Sequence, residues 1–131
     1  TTFEVRQRYR QRRDLLLLAA TYWTLGDPAA TLPQLRQPAM GHACEWETSM
    51  ILRLDPALVK GHEAVVPTAS GNGFEPAIRA WTTPDRTAEG HIGDPAAATA
   101  DKGERLFTIF ADGLVRLIDR MHAWDGASWD G

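Results

Sequence analysis

The chain is 131 residues long, which is room for one domain and hardly two. Its 14 basic and 17 acidic residues leave a net charge of −3, against the basic excess of nucleic-acid binders. A single cysteine excludes an internal disulfide framework and a multi-cysteine zinc module, and suits a reducing cytoplasm. No apolar run reaches the ~18–20 residues of a membrane span, and no signal peptide is visible.

Thr1 to Asp14 is rich in Arg and Gln, and its composition predicts a polar helix over 1–14. Leu15-Leu16-Leu17-Leu18-Ala19-Ala20-Thr21-Tyr22-Trp23 follows as a short continuous apolar run, which predicts a strand over 15–23 buried on both faces. Helix followed by buried strand is the mark of an α/β layer. Gly26 to Met40 carries Gly26, Pro28, Pro33 and Pro38 and reads as loop, with room for one helical turn. A helix over 43–54 stops at Asp55-Pro56, because proline cannot continue the hydrogen-bond ladder. Ser70-Gly71-Asn72-Gly73 is a turn signal, and Ile78 to Trp81 reads as a strand. The last helix is predicted over 95–124, with Asp94 as cap and Pro95 in its first turn. Its apolar face is Leu106, Phe107, Phe110, Leu114, Leu117, Ile118 and Met121. Gly103 and Gly113 within that helix point to a close backbone approach. Residues 125–131 read as a frayed tail.

The chemistry concentrates in Gly41-His42-Ala43-Cys44-Glu45-Trp46-Glu47-Thr48-Ser49-Met50. At 100° per residue, Ala43, Trp46, Met50, Ile51 and Leu54 share one face. Glu47 falls in the middle of that face and Glu45 points away. A carboxylate among apolar side chains needs a cation, a hydrogen-bond network or a metal, so Glu47 is the best candidate for a functional acid. The structural alternative is an ion pair with Arg53 or Arg79. His42, on the loop entering the helix, can act as general acid or base or as a ligand, and equally as a capping or surface histidine. Cys44 is more readily a small core residue than a nucleophile. His62-Glu63 lacks the second histidine of a zinc-protease helix, and Gly71-Asn72-Gly73 lacks the third glycine of a dinucleotide loop. Ser70 lacks a nucleophile elbow. Trp23, Trp46 and Trp81 can line a pocket or fill a core. His91 and His122 read as surface residues.

The stretch from Gly41 to Ser49, followed by Leu52 and by Pro56-Ala57-Leu58-Val59, resembles the His-Ala-Gly-x-x-Glu-Thr-Ser element of the creatininase (creatinine amidohydrolase) family. Cys44 stands where that element usually has glycine. Gly90-His91-Ile92-Gly93-Asp94-Pro95, then Ala98-Thr99-Ala100-Asp101-Lys102-Gly103, is similar to a second family element opening the C-terminal helix. The resemblance runs from about Leu15 to Trp124. It implies a three-layer α/β/α sandwich with a mostly parallel sheet. It also implies a hydrolase of C–N amide bonds in small molecules that uses two divalent ions, zinc, manganese or iron. His42 then matches the proton shuttle to the leaving nitrogen, Glu47 a metal ligand, and Trp23 and Trp46 substrate-contacting aromatics. The family's Glu-x-His … Asp element and Asn-Gly-His-Gly-Gly-Asn loop are absent from this sequence. The chain thus resembles only the C-terminal half of a member.

A catalytic ion needs about three protein ligands, more than His42 and Glu47 supply. The Leu15–Tyr22 edge would also stay open in half a sheet. The expectation is a missing N-terminal half, a partner chain supplying it, or self-association into a homo-oligomer. The alternative function is a non-catalytic or regulatory subunit, or scaffold, that pairs with a fuller homologue.

Overall fold

The computed structural model describes residues 1–69, 71, 73–74 and 76–128. Ser70 and Asn72 of the expected turn, and the last three residues of the tail, lie outside them. Among the described residues there are four α-helices: α1 (Thr2–Arg8), α2 (Pro28–Thr31), α3 (Glu45–Leu54) and α4 (Ala100–Ala123). Extended pairing among the described residues is limited to two isolated antiparallel bridges, His42 with Ile92 and Thr68 with Gly93. The expected three-layer sandwich with a parallel sheet is therefore not assembled by these residues. None of their helices is long and apolar enough to cross a membrane. The chain divides into two compact units, Asp27–Ile109 and the pair Thr1–Gly26 with Phe110–Gly131.

In the unit built from the chain ends, α1 opens with a capping box: Thr1 Oγ1 accepts from Glu4 N, and the Glu4 carboxylate accepts from the Thr1 amine at 2.7 Å. It stops at Arg8, six residues short of the predicted end. No residue of α1 is buried, and a short helix without a packed face gains too little to propagate. Leu15–Trp23 corrects a second expectation. Leu15–Leu17 are half-buried, Leu18–Trp23 are exposed, and Tyr22–Thr24 turns as a 3₁₀ helix. A strand exists only through a neighbour's hydrogen bonds, and none of the described residues offers Leu15–Ala20 a ladder. Tyr22 meets the rings of Phe110 and Trp23 edge-on, at centroid distances of 5.4 and 5.0 Å. Gly113 is where α4 touches the chain, since a Cβ there would stand 2.0 Å from the Leu25 carbonyl oxygen.

In the unit Asp27–Ile109, Asp27 caps α2 by accepting from Ala30 N at 3.1 Å. Helix α3 begins two residues later than predicted, with Cys44 at its N-cap, and ends before Pro56 as expected. Its buried residues are Glu45, Trp46, Ser49 and Met50, while Ile51 and Leu54 are exposed. Gly103 lets α4 approach α3, because a Cβ there would lie 2.0 Å from the Ser49 carbonyl oxygen. The contact is closed from outside by Arg53, whose guanidinium pairs with Glu104 at 2.7 Å and lies 4.6 Å above the Phe107 ring. Pro95–Ala97 forms a separate 3₁₀ turn, so α4 starts at Ala100, with Thr99 Oγ1 accepting from Lys102 N. Along α4 the covered stripe is Gly103, Leu106, Phe110 and Gly113, with Leu117 half-covered. Leu114, Ile118 and Met121 of the predicted face are exposed. The predicted strand at Ile78–Trp81 is exposed coil, with Ile78 98% accessible.

Candidate functional site

The loop Met40–Cys44 carries the first sequence element to the start of α3. Its backbone is fixed on one side by the reciprocal bonds His42 N to Ile92 O (2.9 Å) and Ile92 N to His42 O (2.7 Å). That pairing joins the first element to the second, 50 residues on. Gly41 has no room for a side chain there, since a Cβ would stand 2.0 Å from the Ile92 carbonyl oxygen. Ala43 holds φ at +46°, an uncommon and strained value for a residue with a Cβ. The His42 ring is exposed on this pinned loop.

The two glutamates exchange the roles that the helical wheel predicts. Glu45 is 0% exposed. Its Oε1 accepts from Lys102 Nζ at 2.6 Å, and its Oε2 accepts from the backbone amides of Arg36 and Gln37 at 2.8 and 2.9 Å. Lys102 is itself 13% exposed and also donates to the Ala97 carbonyl. Glu47 is half-buried, and its carboxylate accepts from Cys44 N at 3.4 Å as the return arm of a capping box. The wheel counted Ile51 and Leu54 into the covered face, but both are exposed; the covered residues are Glu45, Trp46, Ser49 and Met50, so the buried acid is Glu45, and its counter-charge sits 57 residues away. Among the described residues neither Arg53 nor Arg79 pairs with Glu47; Arg53 holds Glu104 instead.

Cys44 is a free, fully buried thiol. Its sulfur accepts from Gly41 N at 3.3 Å and lies 3.6 Å from Met40 Sδ. Burial, the largest influence, pushes its pKa up, which disfavours the thiolate a nucleophile needs. Trp46 is 3% exposed, and its indole donates to the Gln37 carbonyl oxygen at 3.2 Å. It packs in the core, so the substrate contact expected of it has no open face. Trp23, in the unit of the chain ends, is 37% exposed. His91 corrects its surface reading: it is 5% exposed, with Nε2 2.9 Å from the Val66 carbonyl oxygen and 3.2 Å from Thr68 Oγ1. Sequence reasoning missed Lys102, Gln37 and the burial of His91. Lys102 and His91 lie within the second element, which was the available signal.

The family described as creatinine amidohydrolase (creatininase) matches residues 2–118. The chain belongs to the creatininase family. The family implies an α/β fold and general dependence on metal ions. Among curated proteins, this creatininase-family chain is 34% identical over 85 residues to a mycofactocin precursor peptide peptidase of Mycobacterium tuberculosis (strain CDC 1551 / Oshkosh), covering 60% of this chain and 32% of that one. It is 33% identical over 100 residues to the protein of the same name from Mycolicibacterium smegmatis, covering 76% and 39%. The matched stretch is thus only about a third of the length of these relatives. No solved structure matches.

The metal requirement can be set against the side chains. Among the described residues, no three His, Cys, Asp or Glu side chains stand together in a way that could hold an ion. The buried carboxylate, Glu45, has both oxygens committed to Lys102 and to backbone amides. These residues do not by themselves fit a hydrolytic metal centre, which needs about three ligands and an open position.

Proposed function

We propose that this chain contributes part of the active site of a hydrolase of C–N amide bonds. The observation that carries this reading is the exposed His42 ring on a backbone pinned to Ile92, three residues before α3, inside the element that the family match covers. His42 meets the departing nitrogen as a general acid and supplies the proton it needs to leave. An imidazole suits this task near neutral pH, and the fixed loop limits the geometries it samples.

Glu47 is the acid we assign to the metal side, since its carboxylate is half-exposed and holds a single long bond. It supplies at most one ligand, and the remaining ligands for two divalent ions (zinc, manganese or iron) come from chain outside this sequence or from a partner subunit. The Leu15–Tyr22 run would find its sheet in the same place, restoring the three-layer sandwich. Trp23, 37% exposed, is the aromatic we assign to substrate. The name of the curated relatives points to a peptide as the bearer of the amide, alongside the small molecules that the family resemblance implies. The free thiol suits a reducing cytoplasm.

The test uses the intact protein, its metal content and cleavage of peptides containing amide bonds. Glu47→Gln is expected to lower metal occupancy and rate together, and His42→Ala to cut turnover ~10²–10⁴-fold with metal retained. Unchanged metal and rate in Glu47→Gln would remove Glu47 from the site, and metal loss in His42→Ala would make His42 a ligand. A second reading, a non-catalytic subunit pairing with a fuller homologue, is favoured by the lack of a three-ligand cluster among the described residues. An intact protein free of metal and inert toward every amide tested would establish it.

A further inference from the structure

Gln37 comes from the proline-rich loop, carries no family motif, and is 6% exposed. One atom, its Oε1, accepts from two backbone amides at once: Glu45 N at 2.8 Å, in the first turn of α3, and Asp94 N at 2.8 Å, in the second element. Its own N–H donates to Glu45 Oε2, its carbonyl accepts from the Trp46 indole, and its Nε2 donates to the Ala39 carbonyl at 3.4 Å. Gly93 makes room for it, since a Cβ there would fall 2.4–2.6 Å from the Gln37 carboxamide. The φ of +124° at Gly93 is a second reason for glycine at that position.

From this we infer that Gln37 is a positioning residue that sets the two elements in register and thereby fixes where His42 points. The inference rests on the reading of His42 as the proton donor. The reciprocal His42–Ile92 bonds tie the elements ahead of α3, and Lys102 Nζ to Glu45 Oε1 and Thr99 N to Ser49 Oγ tie them along it. The Gln37 carboxamide adds the tie between these, two residues past Ile92 on one side and three past His42 on the other, so the turn that carries His42 is held on both flanks. A buried oxygen that satisfies two amides also leaves both unpaired when it is removed, so the loops gain by rearranging toward water.

The test compares Gln37→Met, which keeps the length and removes the acceptor, with Gln37→Glu, which keeps the acceptor oxygen. In the intact protein, Gln37→Met is expected to move the Glu45 and Asp94 amide proton resonances upfield and to speed their hydrogen exchange at least tenfold. It should also lower kcat ~10–100-fold with KM within about twofold, as expected of a misplaced but present catalytic group. Gln37→Glu keeps the acceptor but sets a second carboxylate beside Glu45 and loses the bond to the Ala39 carbonyl, so it is expected to keep both amides slow in exchange and to recover part of kcat. If Gln37→Met only lowers the melting temperature, and the folded protein keeps the amide resonances, the His42–Ile92 contacts and kcat, then Gln37 is packing and the inference is overturned. If Gln37→Met fails to fold, the resonances and kcat of Gln37→Glu decide the same question. A parent protein that cleaves no amide sinks the hydrolase reading instead, and the resonances still report whether Gln37 holds the elements together.

Discussion

The loop-and-helix region around residues 36–49 and the apolar run Leu15–Trp23 were the two richest stretches of the sequence, and they fold by opposite logics. The first closes on itself. Every polar atom of Glu45 has a partner, Gln37 bridges two segments, and the helix start is capped from both sides. The second stays open, with its leucines half-buried at best and its backbone without a ladder among the described residues. Polar networks specify geometry because each member must be satisfied, whereas an apolar run accepts any cover. The polar segment thus reaches its form from residues within this chain, whereas the apolar run finds no ladder among the described residues.

The largest expected effect tests the closed region. Lys102→Met leaves the Glu45 carboxylate buried without its cation, and is expected to cost about 3–5 kcal/mol in urea unfolding. The double variant Glu45→Gln, Lys102→Met should recover most of that loss, because no charge is then left uncompensated. Gly103→Ala comes next. Its Cβ would meet the Ser49 carbonyl, and separating α3 from α4 should cost about 1–3 kcal/mol by the same measurement. The open region answers differently: Leu18→Thr removes an already exposed side chain and is expected to shift stability by less than about 0.5 kcal/mol. A loss of several kcal/mol there would mean that the run is covered, and would erase the contrast. Opposite in sign is Ala43→Gly, which relieves the positive φ and should raise the unfolding free energy by under about 1 kcal/mol.

The contrast also marks what was legible. The two motif blocks were readable because they are local strings, and the arrest of α3 at Pro56 and the close approaches at Gly103 and Gly113 follow from residue chemistry alone. Glu45 was misassigned through phase: counting Ile51 and Leu54 into the covered face turns Glu47 inward, and no string reveals that both are exposed. Its partner Lys102 is distant in sequence, and the role of Gln37 depends on a bond to Asp94, 57 residues away. The strand at 15–23 was legible as an apolar run but not as a strand, because pairing belongs to two segments and no second one pairs with it among the described residues. The polar helix at the N-terminus met the same limit, since composition sets propensity but cannot supply a face to bury.

Ala43 has one more consequence, and it concerns handedness. A backbone angle of +46° is costly for an L-residue because its Cβ is forced toward the neighbouring carbonyl. The mirror-image residue has no such conflict. A chain assembled by ligation with D-alanine at position 43 would hold the turn before Cys44 as its resting state, where the natural residue holds it against its own preference. The loop that carries His42 is thus built from the wrong enantiomer for its shape, and its rigidity is borrowed from the bonds at Ile92 and Glu47.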